Sequence, residues 1–227
     1  MDTVVITPAY NEEATIGEVV GRVLALGFPS IVVDDGSTDS TSGVARAAGA
    51  LVIRLPVNLG VGGALRTAFR YASRHGFKRV VQVDADLQHD PNSIPILLEA
   101  AERGADMVIG SRFGHGYRTG VRAPAISVLR WMVRRRTGVW ITDPTSGFKV
   151  VSEPLLSVFA DEFPADYLGD TVEALVLTSD LVAHIVEVDV SMSRRSAGEA
   201  TPATAGLWHF FRVLFALAIG KPGVPRT

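Results

Sequence analysis

The chain predicts an α/β fold with a mostly parallel central sheet flanked by helices. Two observations carry this expectation. Short β-branched runs alternate with stretches of helical length and spacing, and the loops after the first, second and fourth runs are crowded with acids. The runs are 3–7, 30–34, 51–55, 79–83 and 106–110; the helical stretches between them start near Glu12, Asp39, Gly62 and Asn92. Such alternation makes βαβ units joined by right-handed crossovers. Farther along, helical patterns at 123–136 and 170–179 flank the segment Gly147-Phe-Lys-Val-Val151, and 184–190 reads as a last strand. Residues 193–205 are small and polar, which suggests a mobile loop, and a final amphipathic helix starts near Gly206.

With 227 residues, 47% of them hydrophobic, the chain has the material for one full core, and the region up to about Val190 reads as a single domain. A net charge of -2 argues against a nucleic-acid partner, since phosphate-backbone affinity needs a surplus of Lys and Arg on one surface. The absence of Cys removes disulfides, thiolate metal sites and thiol nucleophiles together, and fits a reducing cytoplasm. The first strand begins almost at Met1, so no signal segment is expected. The longest apolar run, 206–220, is broken by His209 and Arg212 and falls short of the roughly 20 residues needed to span a bilayer. It is long enough to lie on one.

In open α/β sheets ligands bind beyond the carboxyl ends of the strands, so the chemistry is sought in the acid-rich loops. Asp84-Ala-Asp86 follows the fourth run. Two carboxylates at i and i+2 past a buried strand can reach one hard cation, and Mg²⁺ or Mn²⁺ favours a few carboxylates completed by substrate phosphate oxygens. The same pair is also compatible with a strand end and an ordinary turn. Gln88, His89 and Asp90 are possible supporting groups, though His89 beside Asp90-Pro91 also suits a helix start. In Asp34-Asp-Gly-Ser-Thr-Asp39, Gly36 allows a tight turn and the hydroxyls with Asp39 make a helix start. Capping leaves Asp35 unexplained, and its carboxylate can accept from the N–H of a base. Pro8-Ala-Tyr-Asn-Glu-Glu13 offers an aromatic ring and acids before a helix, where Glu12 and Glu13 also complement the dipole. Asn58-Leu-Gly-Val-Gly-Gly63 is neither G-x-G-x-x-G nor a Walker loop, which disfavours a dinucleotide or ATP site. Three acidic loops on one edge would repel one another unless a cation or a donor-rich ligand sits among them.

Taken in order, P-A-Y-N-E-E, D-D-G-S-T-D, N-L-G-V-G-G-A, D-A-D-L-Q-H-D-P, G-S-R and D-P-T-S-G-F-K resemble the inverting family 2 glycosyltransferases, and most closely their polyprenyl-phosphate (dolichyl-phosphate mannose synthase-like) branch. The resemblance spans roughly residues 3–190. It implies a GT-A fold over 1–190, with a nucleotide-sugar-binding half to about 115, an acceptor half at about 116–190, and the mobile loop and amphipathic helix over 191–227. By position, Pro8, Tyr10 and Glu12 would line the nucleoside and Asp35 would meet the base. Asp84, Asp86 and Gln88 would organise the Mg²⁺ or Mn²⁺ and the diphosphate. Arg112 would sit near the reacting phosphates, with Asp86 and Arg112 as the catalytic pair. The chain departs from the family after its last strand, where 193–201 has Ala200 and Thr201 in place of the usual Ser-Lys.

The activity so implied is transfer of a hexosyl group from a UDP- or GDP-sugar to a polyprenyl phosphate, with inversion, at the cytoplasmic inner face of a membrane to which the protein attaches peripherally. A lipid phosphate is already largely ionised, with a second pKa of about 6 by analogy to phosphoserine, and needs cationic guides rather than a base. Arg112, Arg122 and Arg194, with Ser127, are the expected guides, and Lys149 is a further cation for phosphate. Arg118, Arg122, Arg130, Arg134, Arg135 and Arg136 around Trp131 suit an anionic lipid surface or a solvated helix face. Two alternatives remain open. One is a glycosyltransferase acting on a soluble or glycan hydroxyl, with Asp143, Asp170 or Glu173 as base; the other is a nonenzymatic nucleotide-binding or membrane-surface adaptor.

Overall fold

The computed structural model describes residues 2–112, 123–163, 172–181 and 183–191. Five strands follow the β-branched runs: β1 (Thr3–Ala9), β2 (Ser30–Asp34), β3 (Leu51–Arg54), β4 (Arg79–Gln82) and β5 (Met107–Ser111). The helices α1 (Ile16–Ala25), α2 (Thr41–Ala47), α3 (Val61–Arg74) and α4 (Ile94–Glu102) alternate with them. The second half adds α5 (Ala123–Thr137), β6 (Lys149–Ser152), α6 (Leu155–Glu162), α7 (Val172–Asp180) and β7 (Ile185–Asp189).

The seven strands form one sheet in the order β3-β2-β1-β4-β6-β5-β7. All neighbours run parallel except β6, which is antiparallel to both β4 and β5. The central strands are continuous apolar runs because both faces are covered. Val4, Ile6, Val80, Met107, Ile109 and Val151 face one core with Leu65 and Phe69 of α3 and Phe159 of α6. Val5, Val81, Val108 and Val150 face the other with Val19 of α1 and Ile94 and Leu97 of α4.

Two features go beyond the sequence reading. No helix was expected between 151 and 170, yet α6 forms there, burying Leu155, Leu156, Phe159 and Ala160 on one stripe. Its eight residues are too short for the period to stand out. The strand β6 inserts between β4 and β5, so a segment of the second half completes the sheet of the first. Because β6 runs backwards, the loop that precedes it lies at the same rim as the loops that follow β1, β2, β4 and β5.

Candidate active site

The loops after β1 and β2 are laced together. The Asn11 amide donates to Ser37 Oγ at 2.9 Å, and the Thr38 amide donates to Asn11 Oδ1 at 2.9 Å. The Glu12 amide donates to Thr41 Oγ1 at 2.8 Å and the Ser40 amide to Glu13 Oε2 at 2.8 Å. Asn11 takes a left-handed φ of 55° to make these contacts, which Asn tolerates better than most residues. Pro8 is half-buried here, Glu12 accepts from the Thr15 hydroxyl, and Tyr10 stands exposed at the rim.

Most of the acids of these two loops are satisfied by local donors, so they do not by themselves require the cation or donor-rich ligand expected among the three acidic loops. Asp34 accepts from the Ser37 amide at 2.8 Å and from the Ser42 hydroxyl, and Asp39 accepts from the Thr41 amide at 2.9 Å. Burial alone would raise the Asp34 carboxyl, but the Ser37 and Ser42 hydroxyls, the Ser37 amide and Arg54 hold it below its ordinary value. Asp35, the acid that capping left unexplained, has a structural duty. Its Oδ1 accepts from the Leu59 amide at 2.7 Å and ties the glycine-rich loop to β2. Gly36, at φ +77°, lets that loop approach closely, since a Cβ there would stand 2.9 Å from the Val57 carbonyl carbon. Burial pushes the Asp35 carboxyl up, partly opposed by the Leu59 and Gly60 amides. A carboxylate offers about four lone-pair sites, so this duty is compatible with also receiving a base N–H.

The electrostatic case for a cation thus narrows to Asp84 and Asp86. Asp86 is buried and accepts from the Gln88 amide at 3.0 Å through Oδ1; Asp84 is half-buried. Leu87 between them and Gln88 has a φ of +63°, a conformation that costs a non-glycine residue on the order of 1–2 kcal/mol and turns the chain sharply. Among the described residues no three His, Cys, Asp or Glu side chains cluster tightly enough to hold a metal by themselves. Two carboxylates with an amide oxygen from Gln88 fit Mg²⁺ or Mn²⁺, hard cations that take few protein ligands and complete their shell with substrate phosphate. Asp90 caps the turn at Pro91–Ser93 by accepting from the Asn92 amide at 3.1 Å, while His89 reaches back to Asp84.

The loop before β6 brings the arginine in. Arg112 Nε donates to Asp143 Oδ2 at 2.6 Å, and Nη2 donates to Asp143 Oδ1 and to Thr145 Oγ1, both at 3.1 Å. Asp143 is fully buried, and its amide donates to Glu187 Oε1 at 2.7 Å. The Thr142 amide donates to the same carboxylate at 2.8 Å, so Glu187 of β7 anchors the turn that fixes Arg112. Sequence reasoning missed Glu187, because its partners are main-chain amides 44 and 45 residues away. Two expectations change here. Asp143 was offered as a base, but it is buried and forked by Arg112, which leaves it holding the guanidinium. Lys149 was a further cation for phosphate, but it is 2% exposed at the start of β6, inside the sheet.

Gly147 joins the two groups. A Cβ there would stand 2.7 Å from Asp84 Oδ2, so the acid loop of β4 packs directly on the loop that carries Asp143. Ser127 lies exposed on α5; Arg122, Arg194, Asp170 and the Glu173 side chain lie outside the described residues, as do the loop at 193–205 and the helix near Gly206. The α5 helix buries Leu129 and Val133 and turns Val128, Trp131 and Arg135 outward, at i, i+3 and i+7. Trp131 is 59% exposed and Trp140, just past the helix, 55%. The Arg135 guanidinium lies 5.9 Å from the centroid of Trp131 and that of Arg134 lies 5.3 Å from that of Trp140.

The model of the family described as Glycosyl transferase family 2 matches residues 4–163. The chain belongs to glycosyltransferase family 2. This glycosyltransferase is 31% identical over 221 residues to an undecaprenyl-phosphate mannosyltransferase of Micrococcus luteus, a match covering 88% of the chain and 87% of the relative. It is 30% identical over 233 residues to a dolichol-phosphate mannosyltransferase of Pyrococcus furiosus, covering 96% of the chain and 64% of that longer protein. Among solved structures it resembles glucosyl-3-phosphoglycerate synthase of Mycobacterium tuberculosis in complex with Mn²⁺, UDP-glucose and phosphoglyceric acid. That match has a TM-score of 0.75 and 27% identity, and covers 99% of the chain and 81% of the other. The fold of this family 2 enzyme is the GT-A fold.

Proposed function

We propose that this family 2 glycosyltransferase moves a hexosyl group from a nucleotide diphosphate sugar to a polyprenyl phosphate, with inversion and with Mg²⁺ or Mn²⁺. The observation that carries the reading is the packing of Asp84 on Gly147. It brings the loop of Asp84 against the loop whose Asp143 holds Arg112, which supports a donor diphosphate and the guanidinium sharing one rim, as a transfer between two phosphate-bearing substrates requires. The names of the relatives, which specify polyprenyl phosphates, support the same acceptor. The Mn²⁺ and UDP-glucose in the solved neighbour support the metal and the donor class.

On this reading Pro8, Tyr10 and Glu12 line the nucleoside, Asp35 receives a base N–H, and Asp84, Asp86 and Gln88 hold the cation. When bound, the cation supplies positive charge to the departing diphosphate. An acceptor phosphate oxygen attacks the anomeric carbon from the side opposite the diphosphate. The new C–O bond forms as the bond to the β-phosphate oxygen breaks, and the nucleoside diphosphate departs with the electron pair. Arg112, oriented in advance by Asp143, Thr145 and Glu187, stabilises the charge that moves between the phosphates; Arg122, Arg194 and Ser127 guide the acceptor. No residue has to remove a proton, in keeping with the burial of Asp143. The exposed Val128, Trp131 and Trp140 beside Arg134 and Arg135 support a peripheral seat on the inner, cytoplasmic face of the cell membrane. Among the described residues no helix is long and apolar enough to cross a bilayer.

The test is transfer of labelled hexose from UDP- and GDP-sugars into vesicles that carry polyprenyl phosphate, with Mn²⁺ present. The expected product is a lipid-phosphate sugar, and Asp84→Asn lowers its rate by about 100-fold or more, the scale on which enzymes lose preorganised charge stabilisation. No transfer to lipid, with transfer to a soluble acceptor instead, would overturn the acceptor assignment. The phosphoglyceric acid in the solved neighbour makes a small phosphorylated hydroxyl compound the second acceptor to assay.

A further inference from the structure

Asp84 is gripped by groups that neither the donor nor the acceptor requires. Its amide donates to His89 Nδ1 at 3.0 Å, and His89 Nε2 stands 3.5 Å from its carboxylate Oδ2. A ring nitrogen that accepts from an amide carries no proton, so in the neutral imidazole the proton is on Nε2, facing Asp84. The backbone of Asp84 thereby selects the tautomer whose N–H faces its own carboxylate, at a contact distance longer than a closed hydrogen bond. The ring is 4% exposed and lies flat against Phe148, with 5.0 Å between centroids and 15° between planes. Phe148 is itself fully buried next to Gly147, whose missing side chain leaves room for the Asp84 carboxylate. Helix capping does not explain His89, because Asp90 performs it.

We infer that His89, clamped by Phe148, is the positioning residue that orients the Asp84 carboxylate toward the cation. The inference rests on the proposed metal and donor reading and adds a residue to it. Carboxylates that ligate metals are themselves held by outer hydrogen bonds, and loss of such a partner typically costs about 10- to 100-fold in metal affinity or activity. A histidine kept only for packing would fill the same space without directing an N–H at a ligand.

The two ring nitrogens can be separated by substitution. His89→Asn keeps an acceptor near Nδ1 for the Asp84 amide and loses the reach to the carboxylate. His89→Gln keeps an N–H near the position of Nε2. Mn²⁺ affinity is read by electron paramagnetic resonance with UDP or GDP present, alongside nucleotide affinity in EDTA and the melting temperature. The expected result is that His89→Asn weakens Mn²⁺ binding by about 10- to 100-fold, that His89→Gln recovers most of that loss, and that nucleotide affinity in EDTA stays within about twofold in both. Wild-type Mn²⁺ affinity in His89→Asn, or equal losses in both variants that follow the melting temperature, would overturn the inference alone. A wild-type protein that takes up no Mn²⁺ with either nucleotide would overturn the metal reading and the inference together.

Discussion

Asp34 and Asp35 are consecutive acids at the end of β2, and their surroundings push them in opposite directions. Burial raises both, but Asp34 has two serine hydroxyls, an amide and Arg54 to reverse the shift, while Asp35 has two amides opposing burial and the charge of Asp34. A carboxyl held low in the fold contributes stability above its unfolded value of about 3.9, and that stability is lost as the pH falls through the folded value. A carboxyl held high does the reverse and burdens the fold once it ionises. We therefore expect Asp35→Asn, which keeps an acceptor for the Leu59 amide, to melt a few degrees higher than wild type at pH 7. The gain should shrink toward pH 4, where the wild-type carboxyl regains its proton, and nucleotide binding should fall at both values; melting curves and nucleotide titrations at the two pH values check it. At Leu87 the positive φ predicts that Leu87→Val, with its branched Cβ, lowers stability by about 1–3 kcal/mol. That amounts to roughly 2–12 °C in melting temperature at 2–4 °C per kcal/mol. At Gly147 a methyl group must displace the Asp84 carboxylate. Gly147→Ala should lose metal-assisted donor binding while keeping its far-ultraviolet circular dichroism.

Among the elements, β7 and the turn before β6 act as one unit through Glu187. Its two oxygens accept from the Thr142 and Asp143 amides, so Glu187→Gln would set a donor against a donor at this anchor. Hydrogen bonds to charged groups are worth about 1.5–3 kcal/mol, which translates to a fall of roughly 3–12 °C in melting temperature. Because Arg112 is held through Asp143, the rate of transfer should drop more than donor affinity does, a split that steady-state kinetics would resolve. The α5 helix has the opposite arrangement, with one stripe in the core and Val128, Trp131 and Arg135 outside it.

At the scale of the whole molecule, one rim of the sheet gathers the loops of four parallel strands and the loop entering β6. The aromatic and basic surface of α5 and Trp140 is the proposed seat on a lipid surface. Replacing Trp131 and Trp140 by Ala together should weaken binding to anionic vesicles by about 1.5–3 kcal/mol per ring, the range for burying a large apolar side chain. Donor binding in solution should be unaffected, which vesicle sedimentation and nucleotide titration would establish side by side. A saturating donor at about 100 times its dissociation constant should stabilise the fold by about 2.7 kcal/mol.

The parallel part of the sheet was legible in the sequence because each βαβ unit is local: β-branched runs, helical spacing and the acids at the strand ends lie within about thirty residues of one another. Asp84, Asp86 and Asp35 could be singled out for the same reason, as acids past buried strands that capping did not wholly use up. Local order says nothing about which distant segment enters the sheet. The antiparallel entry of β6, the contact of His89 with Asp84 and its stacking on Phe148, the withdrawal of Asp143 into a pair with Arg112, and the hold of Glu187 on that turn are contacts between residues far apart in the chain or set by its exact bend. Hydrophobic patterning fixes which face of a segment is buried, but partner choice across the sheet follows from packing and from the cost of leaving buried donors and acceptors without a mate. Those contacts form only when the chain has closed.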